Sequence, residues 1–80
     1  MNIGEWVRQQ CTAQGITVSQ LAREIGCSQA LIIHWRERDS IPKTYYFLKV
    51  CLKIAQLRQE HPQTIIREAA EIIGIKIPQH

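Results

Sequence analysis

Two short amphipathic segments, separated by almost nothing, lie between Val18 and Glu37, and they constrain this chain more than any other feature. Thr17-Val18-Ser19-Gln20 opens the first segment, Gly26 closes it, and Ser28 opens the second directly after Cys27. Thr17 and Gln20 stand at capping-box spacing, so hydroxyl and amide can each satisfy a backbone N–H at the helix start. Gly26 tolerates the left-handed conformation that ends a helix, and Ser28 is a good N-cap for the next. Helices joined by so tight a turn cross steeply, which dictates what faces inward. Leu21 and Ile25 must reach the core, Ala22 must be small where the second helix crosses, and Cys27 must plug the corner. Ile32 and Trp35 must then return to the same core from the second helix. Each position holds a suitable residue.

The rest of the chain reads as further helices at a period near 3.6. The first spans about Ile3 to Gln14 and ends at Gly15, with Ile3, Val7, Trp6 and Cys11 inward. The second runs from Thr17 to Gly26, and the third from Ser28 to about Glu37. Arg38-Asp39-Ser40-Ile41-Pro42 reads as a loop, with Pro42 in the first turn of a fourth helix that runs from Lys43 to about Gln59. That helix has two apolar stripes: Leu48, Cys51, Leu52 and Ala55 on one side, Phe47, Val50, Ile54 and Leu57 on the other. His61-Pro62 breaks it, a fifth helix spans about Gln63 to Ile73 with Gly74 as cap, and Ile75-Lys76-Ile77 alternates like a short strand. The expected fold is all-α, five helices with a possible short C-terminal strand. Residues 1–58 form the core unit and 59–80 a C-terminal helix and tail.

The 80 residues suit one domain with a small core. No run of about 18 apolar residues suggests a membrane span, and the N-terminus does not read as a secretory signal, so the expected compartment is the cytoplasm. Cys11, Cys27 and Cys51 are far apart, and His34, His61 and His80 add no paired ligand spacing, so no metal site is expected and the thiols read as small apolar groups. No carboxylate pair, nucleophile with a base, or phosphate-cradling glycine loop stands at a useful spacing, so neither an enzyme nor a cofactor is expected. The net charge is +3. Arg23, Arg36, Arg38, Lys43, Lys49, Lys53 and Arg58 outnumber Glu24, Glu37 and Asp39 in the middle of the chain, an asymmetry that suits a phosphate partner.

The run Thr17-Val18-Ser19-Gln20-Leu21-Ala22-Arg23-Glu24-Ile25-Gly26-Cys27-Ser28-Gln29-Ala30, with Ile32 and Trp35, resembles the helix-turn-helix of the phage Cro and cI repressor family, also called XRE-type. Arg36-Glu37-Arg38-Asp39-Ser40-Ile41-Pro42 looks like the shorter Cro-like and YdaS-like members. The likeness covers about Ile3 to Ala55 and implies a lambda-repressor-like five-helix domain with its helix-turn-helix at 17–37. By that resemblance the helix beginning at Ser28 enters the major groove, with Gln29, Ala30, Ile33 and His34 at base-reading positions, Ser28 near the backbone and Glu37 at the margin. The chemistry agrees: Gln29 suits adenine, Ala30 or Ile33 a thymine methyl, and His34 guanine or a phosphate.

Other readings stay open at several positions. Gln29 also fits a solvated first turn, His34 a plain exposed face, and Ile33 burial under a neighbouring loop. Leu31 is expected to pack on the fourth or first helix, and Trp35 to be core rather than a stacking platform. Phosphate contacts are expected from Arg36, Arg38, Lys43 and Thr44, the last two opening a helix, with Thr17, Ser19 and Ser28 alongside. Arg23 fits solvent or a pair with Glu24, and Lys49 and Lys53 a solvated stripe. Two residues depart from the family pattern. Val18 stands where a phosphate-gripping polar residue is common, and Arg36 where many members carry Glu.

A single reading unit gains little specificity, so a homodimer on a palindromic operator is expected, with recognition helices about 34 Å apart. Surplus apolar surface supports this: the fourth helix is apolar on two sides, and the fifth has two apolar faces, of which one can cover the core and the other pair. Ile65, Ile66, Ala69, Ile72, Ile73, Ile75 and Ile77 are the interface candidates, and the alternative is that both faces complete one small core. The reading that follows is a dimeric repressor of phage or mobile-element type. The competing reading is a protein-interaction module on the same fold, an antitoxin or an inhibitor of a host protein, with Leu31, Ile33 and the apolar tail as its surface.

Overall fold

The computed structural model describes residues 1–74, and in them the chain forms five α-helices. These are α1 (Ile3–Ala13), α2 (Val18–Ile25), α3 (Gln29–Glu37), α4 (Thr44–Arg58) and α5 (Pro62–Ile73). The expected strand at Ile75-Lys76-Ile77 lies outside the described residues.

Local chemistry sets the ends of α2 and α3. The Thr17 hydroxyl accepts from the Gln20 amide at 3.0 Å, and the Gln20 side chain accepts from the Thr17 amide at 2.9 Å, so the capping box is complete. Gly26 takes φ +78°, and the Cys27 amide reaches back to the Ala22 carbonyl at 2.9 Å, a bond that closes the helix end. Ser28 then caps α3 through the Leu31 amide at 3.2 Å.

Two helix starts differ from expectation by a residue or two. Pro42 lies outside α4: it is buried, and extended Lys43 serves as N-cap without a side-chain hydrogen bond. Pro62 opens α5, where its missing N–H costs nothing, and His61 Nδ1 accepts from the Gln63 amide at 3.1 Å.

All five helices contribute to one core. Ile3, Trp6, Val7 and Cys11 come from α1, Leu21, Ala22 and Ile25 from α2, and Ile32 and Trp35 from α3. Val50, Cys51, Ile54 and Ala55 follow from α4, and Ile65 and Ala69 from α5. Helix α5 thus belongs to the same core as residues 1–58 and is not an appendage to it. This corrects the interface expectation for Ile65 and Ala69, which are fully buried within their own chain and unavailable to a partner. Ile66, Ile72 and Ile73 are half-buried against that core, while Ile75 and Ile77 lie outside the described residues.

Polar contacts lock α5 onto α1 and α4. The Glu68 carboxylate accepts from the Trp6 indole at 3.0 Å and from both terminal nitrogens of Arg58 at 2.7 and 3.4 Å. Arg58 also donates to Gln10 at 3.1 Å. Among the described residues no helix is long and apolar enough to cross a membrane.

Candidate nucleic-acid interface

Helix α3 has one anchored side and one open side. Ile32 and Trp35 are each 2% exposed and hold it in the core, so Trp35 has the structural role expected of it. Leu31 is half-buried against the core. Gln29, Ala30, Ile33 and His34 are all exposed, and offsets of one, four and five residues place them on one arc opposite the anchors. Ile33 is 39% exposed, so it is not covered by a neighbouring loop. Glu37 shares this open side and pairs with Arg36 at 3.3 Å, which mutes its negative charge there.

The anion-binding candidates divide into free and engaged groups. Arg38 and Lys43 are exposed on the segment that joins α3 to α4, and exposed Thr44 opens α4. No side chain caps the α4 N-terminus, so its first amides remain open to an oxyanion. Thr17 and Ser28 are exposed; each hydroxyl accepts from a cap amide and keeps its proton for donation outward. Ser19 is half-buried at the start of α2. Arg36 is half-buried and shared with Glu37. Arg23 is exposed, and the Glu24 proposed as its partner pairs instead with Lys53 at 3.3 Å.

Lys49 and Lys53 depart from the expected solvated stripe. Lys49 donates to the Ile25 carbonyl at 3.3 Å, at the negative end of α2, and its ammonium lies 4.5 Å from the centre of the Tyr45 ring. Together the two lysines tie α4 to α2 and so brace the turn from behind.

Two residues outside the helix-turn-helix run decide how α1 meets α3. Asn2 donates to the Arg36 carbonyl at 2.8 Å, and Gly4 packs directly on the Arg36 backbone. Beside this contact Gly4, Arg8, Val18, Gln29, Ile32, Ile33 and Arg36 line a groove of about 210 Å³. Arg8 therefore borders the open side of α3, where it pairs with Glu5. A glycine inside the amphipathic pattern of α1 was the available signal, since it marks a close helix approach. Among the described residues no three His, Cys, Asp or Glu side chains gather as a metal-binding group.

No family model matches the chain, and neither does any curated protein or solved structure.

Proposed function

We propose that the chain is a sequence-specific regulator of transcription that binds double-stranded DNA, a repressor of the Cro and cI kind acting in pairs on an inverted repeat. The observation that carries the reading is the division of α3. Ile32 and Trp35 fix the helix rigidly while Gln29, Ala30, Ile33 and His34 stand exposed together at its N-terminal and middle turns. A helix held this way has hydrogen-bonding and apolar groups on the side free to enter a major groove, the types that pair with base edges and thymine methyls. Arg38, Lys43 and the uncapped start of α4 supply the flanking positive charge that positions a duplex without reading it.

The test is duplex binding by fluorescence anisotropy across a salt series. The reading predicts that the logarithm of affinity falls linearly with the logarithm of salt concentration, because each neutralised phosphate releases counterions. Absence of binding to any duplex at low salt overturns it.

One observation favours a protein partner instead. The groove beside α3 has an apolar floor of Val18, Ile32 and Ile33, a lining that would accept a side chain from an antitoxin's target or an inhibited host protein. Capture of such a partner with little dependence on salt is the outcome that selects this second reading.

A further inference from the structure

We propose that Arg8 and Arg36 form a second phosphate grip, on the α1 edge of α3, which Glu5 occupies until a duplex displaces it. At about 100° per residue, Arg36 falls at one edge of the exposed arc of Gln29, Ile33, Ala30 and His34, and Arg38 falls at the other. A helix seated in a major groove has a sugar–phosphate strand along each side, since groove and helix are both roughly 12 Å wide. Lys43 and the uncapped start of α4 already serve the Arg38 edge. On the other edge the groove between α1 and α3 brings Arg8 to Arg36, and Val18, Ile32 and Ile33 in its lining carry no donor. Of the residues around this groove only the two arginines are positive. The inference rests on the duplex reading above and names the backbone contact on its unassigned side.

In the free chain this edge is neutralised from within. Glu5, one turn before Arg8, accepts from its Nε and from one terminal nitrogen, the fork with which a guanidinium also holds a phosphate. The hydrogen bond from Arg8 and, at longer range, the charge of Arg36 hold the Glu5 carboxyl below its ordinary value, so one anion stands in the field of both cations. Arg36 gives a single terminal nitrogen to Glu37 at 3.3 Å and keeps its other N–H groups for a second acceptor. Exposed ion pairs of this kind are weak, so a phosphate can replace the carboxylate on the same fork. The exchange offsets part of the gain from that phosphate. Glu5 therefore lowers affinity for every duplex alike, because a backbone contact reads no base.

The test is binding of a random-sequence duplex across a salt series, with thermal unfolding of each protein to show that it is folded. Glu5→Gln keeps the size of the side chain and an acceptor oxygen but removes the charge. It is expected to bind about two- to fivefold more tightly than wild type at low salt, the factor equivalent to an exposed ion pair, with a salt slope steeper by up to about 1. Arg8→Ala is expected to bind more weakly than wild type, and Glu5→Gln combined with Arg8→Ala to lose the gain. Glu71→Gln removes the same charge from an exposed position on α5 and is expected to leave the slope unchanged. A wild-type chain that binds while Glu5→Gln binds no more tightly overturns this proposal and leaves the duplex reading standing. No binding by any of the proteins overturns both. A gain that survives the loss of Arg8, or one equalled by Glu71→Gln, assigns the effect to net charge and overturns the grip.

Discussion

Gly4 lies so close to Arg36 that a Cβ on the glycine would sit 2.3 Å from the Arg36 backbone nitrogen and 2.6 Å from its Cα. The neighbour is backbone, which cannot rotate aside as a long side chain can. Helix α1 therefore sets the position of the last turn of α3, and the Asn2 side chain fastens the same residue through its carbonyl. Gly4→Ala is expected to destabilise the fold by about 1–3 kcal/mol, the usual range for forcing a methyl into a packed contact. Chemical denaturation measures this, and stability equal to wild type would show that α3 shifts freely.

The Glu68 carboxylate joins three helices, and its removal tests whether they act as a unit. Glu68→Gln keeps an acceptor for Trp6 but removes the charge that faces Arg58. The expected loss is about 1 kcal/mol, modest because Glu68 is 37% exposed and solvent screens the pair. Urea titration reads the loss directly. Added salt should shrink the difference between the two proteins.

Burial pushes the Cys51 thiol up to about 12 from an ordinary 9.0, with the Glu68 carboxylate adding to the shift. Cys11 and Cys27 are raised by burial as well. A folded-state value above the unfolded one favours the native state below pH 9, and that contribution is lost as pH rises from 9 towards 12. Unfolding free energy is therefore expected to fall over this window, and Cys51→Ala, compared with its own value at neutral pH, to fall less. Alkylation mapped by mass spectrometry should find half-buried Cys27 labelled first, with Cys11 and Cys51 labelled only as the chain unfolds.

Arg38 and Lys43 stand outside the face that would read bases, and this separates their expected effects from that of Gln29. Arg38→Ala and Lys43→Ala are each expected to weaken binding to all duplexes alike and to reduce the salt slope by about 1. Gln29→Ala is expected to cost about 1–3 kcal/mol on the preferred sequence only. Equal losses on preferred and random duplexes for all three variants would remove Gln29 from base reading.

The part of the fold legible in the sequence is the part built by short-range chemistry. Thr17, Gln20, Gly26 and Ser28 fix their helix ends through partners within five residues, so the turn and the exposure of Gln29, Ala30 and His34 follow from spacing alone. The faces of α4 and α5 were not legible in this way. Both helices are apolar on two sides, and only their packing on each other and on α1 and α2 decides that Ile65 and Ala69 are buried and Leu52 is not. Lys49 and Lys53 read as solvated because their partners, the Ile25 carbonyl and Glu24, are 24 and 29 positions away in the chain. Such contacts leave no periodic trace.

The central claim is that α3 reads DNA sequence, and selection of bound duplexes from a random pool tests it most directly. Wild type, Gln29→Ala and His34→Ala would be run in parallel. The account predicts an enriched inverted repeat with half-sites about one helical turn apart, and a preference lost at one half-site position in each variant. Failure of any sequence to enrich at low salt, with the protein folded, would contradict it.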